Sequence, residues 1–225
     1  MDHINKNKTY NTHYIGCKNL YKIFSNKNIK SFIQIGSSSE YGKLKSPHKE
    51  VLYTNPTVIY GKSKLLASKF LIKKYISKKF PVTILRFYQV YGPKQDLNRF
   101  IPILINSSLK GLEFECSKAT QSRDFLYIDD AISAIIGSLK KRKAKGKIFN
   151  IASGKPIVLK KIINYVFKKV GKGKPLFGRI PLRVDEPKII YPKITHSRKV
   201  INWKPKINFE KGLTKTINYY KRNKI

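Results

Sequence analysis

The chain has 225 residues, with 48 Lys+Arg against 12 Asp+Glu, a formal net charge of +36. Charged residues make up 27% of it, close to the ordinary globular share of about 25%, so the amount of charge is normal and its sign is not. A hydrophobic fraction of 41% with 14 Tyr and 12 Phe excludes a disordered basic tail, and two cysteines without a CxxC, beside four scattered histidines, exclude a disulfide scaffold and a structural zinc site.

Residues 1–12 read as a polar leader without the apolar core of a signal peptide. From His13 to Ser25, Ile15, Leu20, Ile23 and Phe24 fall near one helical face. Ser31 to Ser37 is a short β-rich run ending in small residues, read as a buried strand leading into a polar loop. Val58 to Lys79 predicts a long helix, and Pro81 to Phe87 a second buried strand. Ile101 to Leu109 predicts a short helix, Arg123 to Asp129 a strand, Ala131 to Leu139 a helix and Lys147 to Ile151 a third buried strand. Leu159, Ile162, Ile163, Val166, Phe167 and Val170 follow the helical period, and Gly171 stops it. A last helix is expected from Phe209. Strands alternating with helices predict an α/β fold with a parallel sheet.

No apolar run is long enough to span a bilayer, and the expected compartment is the cytoplasm. The positive residues are overwhelmingly Lys in a chain crowded with Ile, Asn, Tyr and Phe. An AT-rich coding bias accounts for that pattern better than a nucleic-acid surface, which would draw on Arg for bidentate phosphate contacts. The densest basic run, Lys140 to Lys145, sits at a helix C-terminus, where cations complement the helix dipole.

Tyr60-Gly-Lys-Ser-Lys64 opens the long helix and sets Tyr and Lys one turn apart on one face. A nearby ammonium stabilises a phenolate and brings the Tyr pKa down toward a useful range. Alone, this spacing is common, and a half-buried Tyr beside a solvated Lys explains it equally well. A strand ending at Ser37 adds a hydroxyl that could bond a substrate oxygen while Tyr60 moves a proton.

Six blocks then occur in order: Ser37-Ser-Ser-Glu-Tyr-Gly42, Tyr60-Gly-Lys-Ser-Lys64, Leu85-Arg-Phe-Tyr-Gln-Val-Tyr-Gly-Pro93, Arg123-Asp-Phe-Leu-Tyr-Ile-Asp-Asp130, Phe149-Asn-Ile-Ala-Ser-Gly154, and Trp203-Lys-Pro205 with Gly212-Leu213. On these blocks the chain resembles the extended short-chain dehydrogenase/reductase family, of the nucleotide-sugar epimerase, dehydratase and ketoreductase type. The resemblance implies a Rossmann-like doubly wound parallel sheet with a small α/β substrate-binding subdomain. It implies that Tyr60 is the acid/base, that Lys64 binds the nicotinamide ribose and depresses the Tyr60 pKa, and that Ser37 bonds the sugar C4 oxygen. Ser38, Gln89, Arg123 and Arg183 are the implied substrate contacts, the two arginines at the diphosphate; a salt bridge to Asp185 explains Arg183 as well. Tyr91 and Pro93 are expected to shape their loop. NAD or NADP is the implied cofactor, and a nucleotide-diphosphate sugar the implied partner.

The sequence departs from that pattern in four places. No GxxGxxG turn precedes Gly36, and the chain starts where the family's fourth helix is expected. Gln89 stands for the usual Asn, and His13 or Asn11 for a structural Asn. Ser38 and Ser39 replace the Asp-Glu pair of the dehydratases, which disfavours dehydration. The expected division is 1–100 as the remaining half of the Rossmann-like domain, 101–146 and 172–208 as the substrate subdomain, 147–171 as a returning strand and helix, and 209–225 as a terminal helix. The resemblance implies strands five to seven of a 3-2-1-4-5-6-7 sheet, with the strand at 31–37 left open at one edge. A lone chain is expected to be poorly soluble or oligomeric unless a second polypeptide supplies the missing strands; a completed enzyme is expected to be a homodimer. The expected activity is 4-epimerase or 4-ketoreductase. The alternatives are an inactive fragment or half of a split enzyme, and a basic nucleic-acid-binding domain.

Overall fold

The β-branched and aromatic runs at 32–37 and 82–87 form adjacent parallel strands in the computed structural model, which describes residues 5–182 and 186–223. β1 (Phe32–Ser37) pairs with β2 (Val82–Phe87) from Phe32↔Val82 to Ser37↔Phe87. β2 also pairs with a parallel strand at Ile148–Ile151, giving a three-stranded sheet with β2 in the centre. The centre is legible in burial: every residue from Val82 to Arg86 is buried, whereas β1 is mostly half-buried. These are the three strands expected from the sequence, in a parallel α/β arrangement.

Two compact units divide the chain. The first comprises residues 1–88, 131–152 and 192–204; the second comprises 89–130, 153–191 and 205–225. The borders differ from those expected: residues 131–152 and 192–204 belong to the first unit, and 153–171 belongs to the second.

In the first unit, α1 (Lys6–Tyr10), a π-helical turn (Asn11–Ile15) and α2 (Gly16–Phe24) run on without a break. Asn5 starts them, its Oδ1 accepting from Lys8 N at 2.8 Å. The expected polar leader is therefore largely helix from Lys6, and its lack of apolar periodicity hid it. α3 (Ile59–Lys78) packs on the same sheet and ends at Lys79 in the left-handed conformation (φ 55°). Cys17, Ala67, Leu71, Phe80, Val82, Ile84 and Ile148 form the shared core, ringed by Tyr21, Phe24, Phe32 and Phe70. Each large apolar side chain buried there contributes roughly 1.5–3 kcal/mol. Trp203 Nε1 donates to Ser133 Oγ at 2.9 Å, which ties residues 192–204 to the helix that begins at 128.

The second unit holds β3 (Gln89–Tyr91), α4 (Phe100–Leu109), β4 (Glu113–Cys116), β5 (Ser122–Tyr127) and the first turn of α5 (Ile128–Leu139). With the Ile148–Ile151 strand counted as β6, there follow β7 (Pro156–Val158), α6 (Leu159–Val170), β8 (Lys174–Phe177), β9 (Ile189–Ile190) and, in the first unit, α7 (Thr195–Ile201), before α8 (Phe209–Arg222). β5 lies parallel to β3 and β9 and antiparallel to β7; β4 pairs with β8. The helical period read at 159–170 is the core face of α6, with Ile162, Ile163, Val166 and Phe167 buried and Gly171 closing it at φ 82°. β3, β4, β7, β8, β9 and α7 were not expected; none exceeds seven residues, too short for a periodicity to register.

Two of the three aspartates in the block Arg123 to Asp130 are structural ties. Asp124 accepts from Ser153 N and Gly154 N, both at 2.7 Å, and Asp130 accepts from Lys206 N at 2.9 Å and Ile207 N at 2.8 Å. Burial pushes the Asp124 carboxyl up to about 6, against the Ser153 and Gly154 bonds that pull it down. A carboxyl raised on folding contributes stability fully below its ordinary value of 3.8 and loses that contribution as the pH climbs through about 6. Urea unfolding at a series of pH values should therefore find the wild type losing about 1–3 kcal/mol relative to Asp124→Asn between acid and neutral pH. A gap that stays flat, or closes in the other direction, contradicts this assignment.

Candidate active site

The loop after β1 is held by one carboxylate. Glu40 is fully buried, and its Oε1 accepts from Ser37 N at 2.8 Å. Its Oε2 accepts from Arg86 Nε at 2.9 Å and Ser68 Oγ at 2.7 Å, with Arg86 Nη2 at 2.8 Å. Arg86 is fully buried near the end of β2; it donates from Nη1 to Val51 O at 2.6 Å and stacks 4.6 Å over the Tyr41 ring. Burial opposes the guanidinium charge, but Glu40 and Tyr41 together outweigh it and the Arg86 pKa is raised. Tyr41 donates to Asn150 Oδ1 at 2.7 Å, so β6 joins the same network; burial pushes its phenol up to about 12. Gly36 is glycine because a Cβ there would meet Glu40 Oε1 at 2.6 Å.

That network sets Ser37. Its backbone N–H is spent on Glu40, and its Oγ accepts from Ser39 N at 3.1 Å in a capping box over the turn Ser38–Tyr41. The hydroxyl hydrogen is left to donate outward. Ser38 is the first residue of that turn and half-buried. α3 starts directly against the turn: a Cβ on Gly61 would collide with the Ser39 carbonyl oxygen. This close approach seats Tyr60 and Lys64 beside the end of β1.

Tyr60 lies in the first turn of α3, flanked on two sides. Lys64 Nζ is 5.8 Å from its ring centroid, and the His13 ring meets it edge-on at 5.0 Å and 81°. Lys64 is buried, with its Nζ donating to Ile35 O at 2.9 Å. Burial lowers the Lys64 pKa, with Glu40 pulling the other way. His13 is lowered too, by burial and then by Lys64. The sequence thus brings Ser37, Ser38, Tyr60 and Lys64 together within the first unit, with His13 beside them.

The other expected contacts belong to the second unit. Gln89 is exposed at the start of β3. Arg123 is buried on β5; its Nη1 donates to Ser122 O at 2.8 Å and its Nη2 pairs with Glu186, whose other oxygen accepts from Gln121 Nε2 at 3.1 Å. Arg183 and Asp185 lie outside the described residues. Tyr91 is buried and donates to Phe209 O at 2.9 Å. Among the described residues, no group of three or more His, Cys, Asp or Glu is placed to hold a metal, and no helix is long and apolar enough to cross a membrane. Glu40, Arg86 and His13 were not picked out as site residues. The available signal was a lone Arg inside the apolar strand Val82–Phe87, which demands a buried anion nearby.

A parallel strand ending in Ser, followed by a helix that opens on Tyr and Lys one turn apart, defines a Rossmann-like protein of the short-chain dehydrogenase/reductase kind. A family model described as the NAD dependent epimerase/dehydratase family matches residues 2–152, and the chain belongs to that family. It is 28% identical over 212 residues to a UDP-glucuronate 4-epimerase of Thermodesulfobacterium geofontis, covering 92% of this chain and 64% of that protein. It is 30% identical over 204 residues to the human dTDP-D-glucose 4,6-dehydratase, covering 87% of this chain and 57% of that one. The chain thus spans about three-fifths of the length of these curated relatives. Among solved structures, the UDP-glucuronic acid 4-epimerase of Bacillus cereus, in complex with UDP-glucuronic acid and NAD, superposes with a TM-score of 0.86 at 27% identity, over 94% of this chain and 68% of that one.

The Glu40–Arg86 pair carries a direct test. Removing one partner of a buried ion pair leaves the other charge uncompensated, so Glu40→Gln should cost about 3–5 kcal/mol in urea unfolding. The double variant Glu40→Gln, Arg86→Met should cost less than the sum of the single changes. Additive losses contradict the pairing.

Proposed function

We propose that the chain is the part of an NAD(P)-dependent nucleotide-sugar 4-epimerase or 4-ketoreductase that carries the proton-moving residues. The observation that supports this reading is the grouping of Ser37, Tyr60 and Lys64 at the end of β1. Tyr60 takes the proton of the sugar C4 hydroxyl in the epimerase direction and protonates the C4 oxygen in the reductase direction. Lys64, one turn on, favours the phenolate. Ser37, whose Oγ already accepts from Ser39 N, donates its hydrogen to the C4 oxygen and orients it.

The residues present suit the ribose end of a nicotinamide cofactor. An ammonium has three donors, and Lys64 directs one to Ile35 O, which leaves two for ribose hydroxyls. When bound, the cofactor supplies hydride acceptance and return at C4. Among the described residues no glycine-rich turn leads from a strand to a helix N-terminus, so the pyrophosphate finds no cradle in them. Completion by a second polypeptide carrying further strands is part of this reading, as is homodimer formation once completed. Arg123 is assigned to the diphosphate, which then competes with Glu186 for the guanidinium.

Dehydration is disfavoured on chemistry. Elimination of water needs an acid and a base beside Ser37, and Ser38 and Ser39 carry no carboxyl. Glu40, the next residue, is fully buried and committed to Arg86.

UDP-glucuronic acid is the substrate to try first, because the Thermodesulfobacterium and Bacillus relatives are named for it. With NAD and the completing polypeptide, NMR should follow its conversion to the C4 epimer. Tyr60→Phe should lower turnover by about 10²–10⁴-fold and leave nucleotide-sugar affinity, read by calorimetry, nearly unchanged. Undiminished turnover in Tyr60→Phe refutes the assignment. Loss of affinity in step with turnover makes Tyr60 a binding residue instead.

A further inference from the structure

The turn that follows Ser37 and the helix that carries Tyr60 are joined by a loop with no helix or strand of its own. Residues 42–57 make isolated backbone bridges, Gly42 to Asn55 and His48 to Pro192. Thr54 Oγ1 donates to Glu40 O and Val51 O accepts from Arg86 Nη1, both at 2.6 Å, and Glu50 Oε1 accepts from Asn150 N at 3.1 Å. These bonds draw the loop onto the Glu40–Arg86 pair. In its middle sits His48, 4% exposed. The His48 carbonyl accepts from Asn150 Nδ2 at 3.2 Å and Lys193 N at 2.9 Å, and its ring lies 4.4 Å from the Tyr41 ring, centroid to centroid.

Both ring nitrogens of His48 are bonded, and the partners fix its tautomer. Nε2 lies 3.0 Å from Leu44 O, which can only accept, so Nε2 carries the hydrogen. In the neutral ring Nδ1 is then the acceptor, and the Tyr88 hydroxyl donates to it at 2.8 Å. A second proton would sit on Nδ1, turn the Tyr88 hydroxyl round and leave a cation buried. The groups facing that cation do not compensate it. From β2 comes another cation, Arg86, stacked 4.6 Å over the same Tyr41 ring. Tyr41 and Tyr88 are phenols, and Lys193 on the crossing segment and Lys49 on the loop are exposed cations. Glu50 is engaged by Asn150, and Glu40 by Arg86 and Ser68. A buried charge without an anion is costly. Burial accordingly lowers the His48 pKa below the usual 6.5, with the Leu44 bond pulling it up and Arg86 pushing it down.

We propose that His48 is a proton-operated latch: the neutral ring fastens loop 42–57 over the Glu40–Arg86 pair, and protonation releases the loop and with it the seating of Ser37 and Tyr60. An unpaired cation leaves this pocket most cheaply by moving outward with the loop, because the loop is held by single bonds rather than by a ladder or a helix. The effect reaches the site through both ends of the loop. One end continues from the Ser38–Tyr41 turn; at the other, Pro56 and the Ser39 carbonyl together meet the space where a Gly61 Cβ would lie. The direction follows from linkage: a histidine lowered on folding contributes stability above 6.5 and loses it as the pH falls from there toward the lowered value. The latch stands on the bonds of the loop; its consequence for turnover rests on the function proposed above.

The test follows the ¹⁵N-labelled chain by NMR between about pH 7.5 and about pH 5. At the upper end the His48 ring should show a bare Nδ1 and a protonated Nε2. As the pH falls, the protection of the Asn150 and Lys193 amides against exchange should drop about tenfold or more, while the β1–β2 amides stay protected. The Ser37 amide and Tyr60 ring resonances should move with the same midpoint. That midpoint should coincide with the ring titration of His48 and not with that of His13 or His196. His48→Gln keeps a donor for Leu44 O without a titrating group, and its loop protection should stay flat over the range. A His48 ring that gains its proton while the loop stays protected overturns the latch. Loop opening that follows another histidine, or persists at the same midpoint in His48→Gln, overturns it too. The coincidence of midpoints is read on the wild type alone, so it decides the matter even where His48→Gln does not fold. Loop opening with unmoved Ser37 and Tyr60 resonances overturns the link to the site. None of these readouts is turnover, so failure of the sugar chemistry would leave them intact.

Discussion

A buried ion pair holds the end of the first unit where the loop after β1 meets α3. Glu40 and Arg86 are both withdrawn from water, and each is satisfied several times over: Glu40 by Arg86, Ser68 and the Ser37 amide, Arg86 by Glu40 and the Val51 carbonyl. Two charges in a low-dielectric interior persist only when they are paired and supported by hydrogen bonds. That requirement fixes the loop after β1 against β2, and with it the direction of the Ser37 hydroxyl. Tyr41, stacked under the guanidinium and bonded to Asn150, extends the constraint to β6. Three strands and one loop therefore share a single electrostatic solution.

The helix carrying Tyr60 and Lys64 is placed by contact at this loop. Gly61 lets the first turn of α3 come up to the Ser39 carbonyl, which no side chain there would permit. Tyr60 and Lys64 consequently sit beside the strand end rather than out along a solvent face. Lys64 loses hydration as a result, and the same burial that lowers its pKa gives it a backbone carbonyl for a partner. A solvated lysine could not be held in this way; its entropy and hydration would favour water.

In the second unit the charged residues of one motif do different work. Arg123 is paired with Glu186, and Asp124 and Asp130 bind backbone amides of segments distant in the chain. A run that reads as a functional signature is thus partly a set of ties, with Asp124 accepting a raised pKa as the cost of burial. Apart from Arg86, Lys64 and Arg123, the large positive charge lies mostly on exposed lysines.

The sequence by itself determined the long elements and the chemistry of the pair. Apolar runs at 32–37, 82–87 and 148–151 make strands, the period of 159–170 makes a helix face, and four residues of spacing put Tyr60 and Lys64 one turn apart. Tertiary structure alone decided what no local pattern encodes. It paired Glu40 with Arg86 across 46 positions, gave Arg123 to Glu186 across 63, made a helix of residues 6–12 and brought His13 onto Tyr60. The short strands β3, β4, β7, β8 and β9 belong to the same group, because two to four residues take their conformation from the neighbour they pair with. Periodicity reports which face of a segment avoids water; only packing decides which buried charge meets which, because that energy depends on distance in space and not along the chain.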